Sequence, residues 1–191
     1  MKASKLLASF ILLISIPMFL GSSVDAQAVK PQDIMKKKYP KEVITVIKTA
    51  DINADKKNES FVLTKSGNFY YMNSKGAVAL INTGIISDEE YGEDPSIQIY
   101  PVSKKEKHVA VTYSYFPSNT QLYVYRLQGG TLKKVLQLMG DQGVKIDSKG
   151  RVLQYWKKYR EEGGWDPVEG ILTWNSKTNT YKGTGQYILQ K

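Results

Sequence analysis

The chain has 191 residues, a formal net charge of +9, no cysteine and a single histidine, His108. The lack of cysteine excludes disulfide bonds, a thiol nucleophile and a lipidated cysteine, and one histidine cannot build a multi-histidine zinc site. The excess of positive charge favours anionic polymers or lipid headgroups as partners, although solubility alone also explains it. No phosphate-binding glycine loop or nucleotide motif occurs, and we expect no nucleic acid partner.

Residues 1–26 have the pattern of a secretory signal peptide. Lys2 and Lys5 supply a positive start, and the apolar run over residues 6–20 is short for a membrane span. Small residues then allow cleavage after Ala26 or Ala28, which leaves a net charge of +8 when residues 1–26 are removed. We expect a secreted, extracellular protein with no transmembrane segment in the mature chain; an uncleaved N-terminal anchor is the alternative. Export without disulfide bonds is typical of Gram-positive bacteria, where association with the cell wall is expected.

Residues 27–42 are predicted to form a short helical lead-in. Pro31 suits the first turn of a helix, and Pro40 prevents the helix from continuing. Ile34, Met35 and Tyr39 could share one apolar face, which predicts a helix that packs against the following sheet. A basic helix lying on a membrane surface is the alternative, but the segment is short for that role.

Residues 43–191 are predicted to form a single all-β domain. Runs of β-branched and aromatic residues, such as 43–47, 69–72 and 108–115, alternate with turn signals such as Gly129-Gly130. About eleven short strands at spacings of roughly 8 to 12 residues predict an antiparallel meander. The fold class is therefore all-β, propeller-like or β-sandwich-like, with the short helix in front.

An acidic loop, which we define as residues 51–59, is the candidate metal site. Asp51, Asn53, Asp55 and Glu59 place oxygen-bearing side chains at positions 1, 3, 5 and 9, and the carbonyl of Lys57 could add a further ligand. Calcium takes six to eight oxygen ligands from loops of this kind, so Ca²⁺ is the predicted cofactor. The alternative is a solvated turn, rich in Asp and Asn, that only connects two strands.

The segment DINADKKNESFVLT, residues 51–64, resembles the D-x-N-x-D-G-x-x-D/E loop of FG-GAP and VCBS-type repeats. The resemblance implies a propeller blade of the integrin type, with the loop between two strands and often a bound calcium. Lys56 stands where that family usually has glycine, and only one such loop is present. The hairpin around residues 172–181, with Trp174 before the turn and Tyr181 after it, also resembles hairpins of propeller-like domains, and so does the segment of residues 123–132.

The densest group of aromatic and basic side chains is the candidate binding site. Aromatic rings flanked by cations suit a sugar ring that carries an anion, as in a wall polymer; the alternative is that Trp156 belongs to the core and the cations are its solvated flank. The predicted binding residues are Trp156, Lys157, Lys158, Tyr159, Arg160 and Trp165.

Candidate catalytic groups are few, and we expect no enzymatic activity. His108 follows a lysine-rich segment, and we interpret it as an exposed histidine at a strand edge. The acidic residues 88–94 are interpreted as a solvated loop. The expected function is a secreted, non-enzymatic binding or cell-surface-associated protein whose partner is an anionic cell-wall polymer or another protein. The alternatives are an enzyme acting on extracellular polysaccharide, with carboxylates of residues 161–169, and an inhibitor or immunity-type protein that blocks a partner enzyme.

Overall fold

The computed structural model describes residues 30–88, 90 and 93–185. The predicted signal peptide, residues 1–26, lies outside this part of the chain. The described residues form one helix and twelve strands. The helix α1 spans Pro31–Lys38, and the strands are β1 Ile44–Ala50, β2 Glu59–Thr64, β3 Phe69–Met72, β4 Val78–Asn82, β5 Ser96–Pro101, β6 Lys107–Tyr115, β7 Asn119–Gln128, β8 Thr131–Gly140, β9 Val144–Ile146, β10 Val152–Tyr159, β11 Trp165–Asn175 and β12 Thr180–Gly185.

The strands form three antiparallel sheets, each made of four consecutive strands in chain order. The first sheet holds β1 to β4, the second holds β5 to β8, and the third holds β9 to β12. Each sheet is thus a local meander closed by short turns, which is also the strand order of a propeller blade. The predicted fold class, an all-β antiparallel meander preceded by a short helix, is confirmed.

The three sheets are stacked so that the second sheet lies between the other two. Val109 and Val111 of β6 join a buried cluster with Phe61 and Phe69 of the first sheet. Ala110, between those two valines, joins another cluster with residues of the third sheet. Because successive residues of a strand point to opposite faces, β6 packs on both neighbours at once.

The helix α1 covers the free face of the first sheet. Met35 is only 1% exposed and packs against Val62 and Met72, while the ring centroids of Tyr39 and Tyr70 lie 4.7 Å apart. Pro31 occupies the first turn, as the sequence predicts. With the helix on one face and the second sheet on the other, all six residues of β2 are buried.

The third sheet ends the stack on the other side, and we call the side turned away from the second sheet its outer face. Among the described residues no further sheet packs on it. Val152 of β10 points to the second sheet, so Leu153, Tyr155, Lys157 and Tyr159 point outward. Cross-strand pairing extends this face to β9, β11 and β12.

The hairpin of β10 and β11 is longer than the sequence predicts. The strand-like runs of the sequence here are residues 152–156 and 171–174, with a break at residues 161–164, but pairing continues to Tyr159 and Trp165. Pro167 lies within β11, although proline cannot donate a ladder hydrogen bond. It is tolerated because β12, within the described part of the chain, pairs with β11 only from Gly170 onward.

No helix among the described residues is long and apolar enough to span a membrane.

Candidate binding face on the third sheet

Strand alternation divides the predicted binding residues between two faces. Lys157, Tyr159 and Trp165 lie on the outer face of the third sheet, whereas Trp156 and Lys158 lie on the opposite face. Adjacent residues of a strand point alternately to its two faces, so the six residues do not share one face. Trp156 and Trp165 nevertheless both line the concave region described below, and binding by this group stays a prediction.

Arg160, the sixth predicted binding residue, lies in the turn between the two strands. Its guanidinium forms an ion pair with Asp166 at 3.3 Å, and its backbone N–H donates to the carbonyl of Gly164. Both partners of the ion pair are exposed, so the pair helps to shape the turn without adding much stability.

The outer face combines exposed aromatic rings with ammonium groups. Tyr159 and Trp165 form a cross-strand pair and are 71% and 41% exposed. The Nζ atom of Lys157 lies 5.5 Å from the centroid of Trp165, and that of Lys145 lies 5.9 Å from the centroid of Tyr155. These two cation–π pairs hold the lysines across the sheet surface rather than extended into water.

A concave region of about 460 Å³ lies on this face. Lys145, Tyr155, Trp165 and Glu169 all line it. Partial burial raises the pKa of Tyr155, and a hydrogen bond to the Glu169 carboxylate raises it further, so the phenol stays protonated and donates to Glu169. Sequence reasoning missed Lys145 and Tyr155, although the alternation of β10 would have placed Tyr155 beside Lys157.

The outer face carries more positive than negative charge. Among the described strand residues of this face, Lys145, Lys157 and Lys182 carry positive charge and Glu169 carries negative charge. The face therefore attracts anions while offering flat rings for stacking.

The acidic loop lies between β1 and β2, as the sequence predicts. The carboxylate of Asp51 accepts hydrogen bonds from the backbone N–H groups of Asn53, Asp55 and Lys56, at 3.2, 3.3 and 2.9 Å. Partial burial raises the pKa of Asp51, but these backbone donors outweigh it and keep the pKa below the ordinary value. Asp55 in turn accepts from the backbone N–H of Lys57 at 2.8 Å.

The sharp bend of this loop forms even though Lys56 replaces the usual glycine. Lys56 has a φ of 65° and Ala54 has a φ of 61°, both in the left-handed region. A residue with a side chain pays about 1 kcal/mol or more there, so the Asp51 hydrogen bonds offset a real strain.

The predicted ligands of the acidic loop differ in position. Asn53, Asp55 and Lys57 are exposed, whereas Glu59 is buried and accepts from the backbone N–H of Ile52 at 3.3 Å. Burial raises the pKa of Glu59, and the negative charges of Asp55 and Asp51 raise it further by electrostatic repulsion. Within the described residues, no group of three or more His, Cys, Asp or Glu side chains is placed so that it could hold a metal ion. Calcium binding by Asp51, Asn53, Asp55, Glu59 and the Lys57 carbonyl stays a prediction, since amide and carbonyl oxygens also serve as ligands.

The interpretation of His108 as exposed is wrong, because its side chain is 0% exposed. The ring lies between the second and third sheets, with its centroid 4.6 Å from that of Trp174. Burial lowers the pKa of His108 to about 4, although the nearby Glu106 carboxylate acts in the opposite direction. The lysine-rich segment before His108 suggested exposure, but the strand points this side chain inward.

Hydrogen bonds connect His108 to both sheets. The neutral ring donates from Nε2 to Glu106 at 3.3 Å and accepts at Nδ1 from the hydroxyl of Tyr181 at 2.8 Å. The Tyr181 oxygen lies 2.7 Å from the hydroxyl of Tyr100, and Glu106 forms an ion pair with Arg126 at 2.9 Å. Burial raises the pKa of Tyr181 well above its ordinary value, so this network holds the two sheets together and supplies no activated nucleophile.

The carboxylates considered for polysaccharide hydrolysis are divided between a turn and the two faces of β11. Glu161 and Glu162 are exposed in the turn after β10, while Asp166 and Glu169 lie on opposite faces of β11. Hydrolysis by two carboxylates requires a fixed separation across one substrate, which opposite faces of a strand cannot provide.

Comparisons of this chain with protein-family models, with curated proteins and with solved structures find no significant match. The resemblance of the acidic loop to FG-GAP repeats therefore stays a prediction, and function is argued from the site itself.

Proposed function

We propose that this protein is an exported, non-enzymatic binding protein of a Gram-positive cell envelope, whose outer face on the third sheet binds an anionic polymer. The observation that carries the proposal is the pairing of ammonium groups with exposed rings, Lys157 with Trp165 and Lys145 with Tyr155. An anionic group that approaches this face meets cations already positioned, and a sugar or polyol unit can lie against the rings.

The balance of charge favours a polymer of anionic units over a neutral glycan. This surface carries three lysines and one carboxylate, within a chain of net charge +9. Exposed charges interact over about 8 Å at physiological ionic strength, so repeated phosphates along a polymer could contact several lysines at once.

The test is calorimetric titration of the protein with poly(glycerol phosphate), with neutral dextran as the uncharged comparison. We expect binding of the first polymer and none of the second. Lys157→Gln and Trp165→Ala should each weaken binding by about tenfold, corresponding to roughly 1–2 kcal/mol for a cation and an aromatic contact.

Lys158→Gln is the matched control, because it removes the same charge from the opposite face of the same strand. It should change the affinity less than twofold. Equal weakening by Lys157→Gln and Lys158→Gln would indicate a response to net charge alone and would refute the outer face as the site. Tight binding of dextran would instead favour a neutral-glycan protein.

We further propose that the acidic loop binds a structural calcium ion through Asp51, Asn53, Asp55, Glu59 and the carbonyl of Lys57. The supporting observation is the bend of the loop, in which Ala54 and Lys56 adopt positive φ and Nδ2 of Asn53 lies 3.2 Å from Oδ2 of Asp55. A bound cation would balance the charge of the carboxylates and fix the loop in its bent conformation.

Thermal unfolding with calcium and with chelator tests this second proposal. Calcium at about 100 times its dissociation constant should add ~2.7 kcal/mol to the stability and raise the midpoint by several degrees. Asp55→Asn, which keeps an acceptor for the Lys57 N–H but loses the charge, should reduce the calcium effect. An identical midpoint in calcium and in chelator for the unmodified protein would show that residues 51–59 form only a turn.

A further inference from the structure

A second cavity lies beside the outer face, across the edge strand of the third sheet. It has a volume of about 320 Å³, and Lys145 of β9 lines both this cavity and the concave region described above. Two depressions that share a side chain are neighbours on the surface, so one extended ligand can occupy both.

The second cavity differs from the outer face in its chemistry. Ala110, Thr112 and Ser114 lie on the face of β6 that is turned toward the third sheet. Ala110 is buried between the two sheets, whereas Thr112 and Ser114 lie further along the strand and line the second cavity. The cross-strand partners of these two residues are Ser96 and Thr120, so four hydroxyl groups stand together on one wall. The hydroxyl oxygens of Ser96 and Thr112 lie 2.7 Å apart.

The remaining wall contributes amide and carboxylate groups. Asn119, Glu93 and Asp94 also line the cavity. Carboxylates repel phosphate but accept hydrogen bonds from hydroxyl groups, and hydroxyl and amide side chains both donate and accept. This lining therefore suits an uncharged, hydroxyl-rich unit rather than another anion.

The ridge between the two depressions is fixed by short contacts. The Ser118 hydroxyl donates to the carbonyl of Asp141 at 2.6 Å, and the Asp141 carboxylate accepts from the backbone N–H of Lys157 at 2.9 Å. A side chain at Gly140 would place its Cβ 2.2 Å from the carbonyl oxygen of Gly143, so only glycine permits this close turn. The spacing between the cationic depression and the hydroxyl-lined one is thus set by the fold.

We propose that the two depressions form one continuous site for a phosphodiester-linked polyol or sugar polymer. The outer face takes the phosphates and stacked units, and the second cavity takes a neutral polyol or sugar unit through its hydroxyl groups. This inference rests on the proposed function and goes further, because it assigns a second subsite and requires both phosphate and hydroxyl groups in the ligand.

The experiment compares poly(glycerol phosphate) with inorganic polyphosphate, which has the phosphates but no hydroxyl-bearing units. The double variant Thr112→Val, Ser114→Ala should weaken poly(glycerol phosphate) binding by about tenfold, as expected for two lost hydrogen bonds, and leave polyphosphate binding unchanged. Ser96→Ala, at an exposed position on the same wall, should act in the same direction with a smaller effect.

Thr131→Val, at the first residue of β8 and outside both depressions, is the matched control and should leave both affinities unchanged. If Lys157→Gln weakens both polymers and the double variant weakens neither, the second subsite is refuted while the proposed function stands. If the unmodified protein binds neither polymer, the proposed function fails and this inference fails with it.

Discussion

At the scale of single residues, His108 is the one histidine of the chain, and its side chain is fully buried. Its ring is buried between two sheets, where a charged imidazolium would lose hydration that the surrounding groups do not restore fully. The groups that face it are Glu106, Arg126, Tyr100 and Tyr181, of which only Glu106 favours the charged form. The neutral ring is therefore part of the contact between the second and third sheets.

We predict a loss of stability in mild acid that depends on His108. Its pKa falls from 6.5 in an exposed environment to about 4 in the folded protein, so the unfolded chain binds the proton first. The stability is fully present above about pH 6.5 and decreases by on the order of 3 kcal/mol as the pH falls to about 4. Denaturant unfolding at a series of pH values measures this decrease.

His108→Gln separates this effect from general acid unfolding. The variant lacks the titrating group, so its stability should change less between pH 6.5 and pH 4 even though it starts lower at neutral pH. An unchanged slope in this pH range would assign the acid sensitivity to carboxylates instead. The sequence alone could not predict the burial of His108, since hydrophilic neighbours in the chain do not reveal which face of β6 a residue occupies.

Residues of the acidic loop were predicted more completely from the sequence. The spacing of Asp51, Asn53 and Asp55 predicted a loop between two strands, and the structure has it between Ala50 and Glu59. The hydrogen bonds from backbone N–H groups to Asp51 are local, so a short sequence determines them. The burial of Glu59 depends on the neighbouring strands, and no local pattern indicates it.

At the scale of elements, α1 is the helix that the sequence predicts, because its signals are all local. Pro31 suits its first turn, and the basic residues 36–38 lie in its last turn, where cations interact favourably with the helix dipole. The sequence did not establish which sheet face the helix covers, since that depends on the stacking of distant strands. Met35 shows the result, with its side chain buried against Val62 and Met72.

We predict that Met35→Ala destabilises the protein by about 2–5 kcal/mol, the usual cost of removing a large buried side chain. Lys36→Ala, at the next and exposed position of the same helix, should cost less than about 0.5 kcal/mol. Chemical denaturation of both variants gives the comparison. Similar small effects of the two substitutions would mean that α1 does not contribute to the folded core.

The β10–β11 hairpin is the element where sequence reasoning failed most. Residues 161–164 break the strand pattern of the sequence, yet Tyr159 and Trp165 still pair on either side of them. Strand pairing is decided by both strands together, so a proline at a position without a required donor does not stop it. The candidate site depends on this extension, because it places Trp165 next to Lys157.

At the scale of the whole molecule, the antiparallel order of the strands follows from the sequence, and their number nearly so, with about eleven predicted and twelve among the described residues. The division into three sheets does not follow from it. Turn signals such as Gly129-Gly130 specify which neighbouring strands pair, and both glycines adopt positive φ. The contacts between sheets join residues far apart in the chain, for example Tyr100 with Tyr181. Such contacts leave no periodic pattern, which is why the outer face could not be located from the sequence.

The unequal ends of the stack also restrict how copies of the protein can associate. The helix closes the end formed by the first sheet, and among the described residues only the third sheet presents an uncovered face. Association through that face joins two copies and leaves no equivalent surface for a third, because the pair exposes a helix at both ends. A ligand bound to this face would compete with such pairing, and this face alone cannot propagate a fibre.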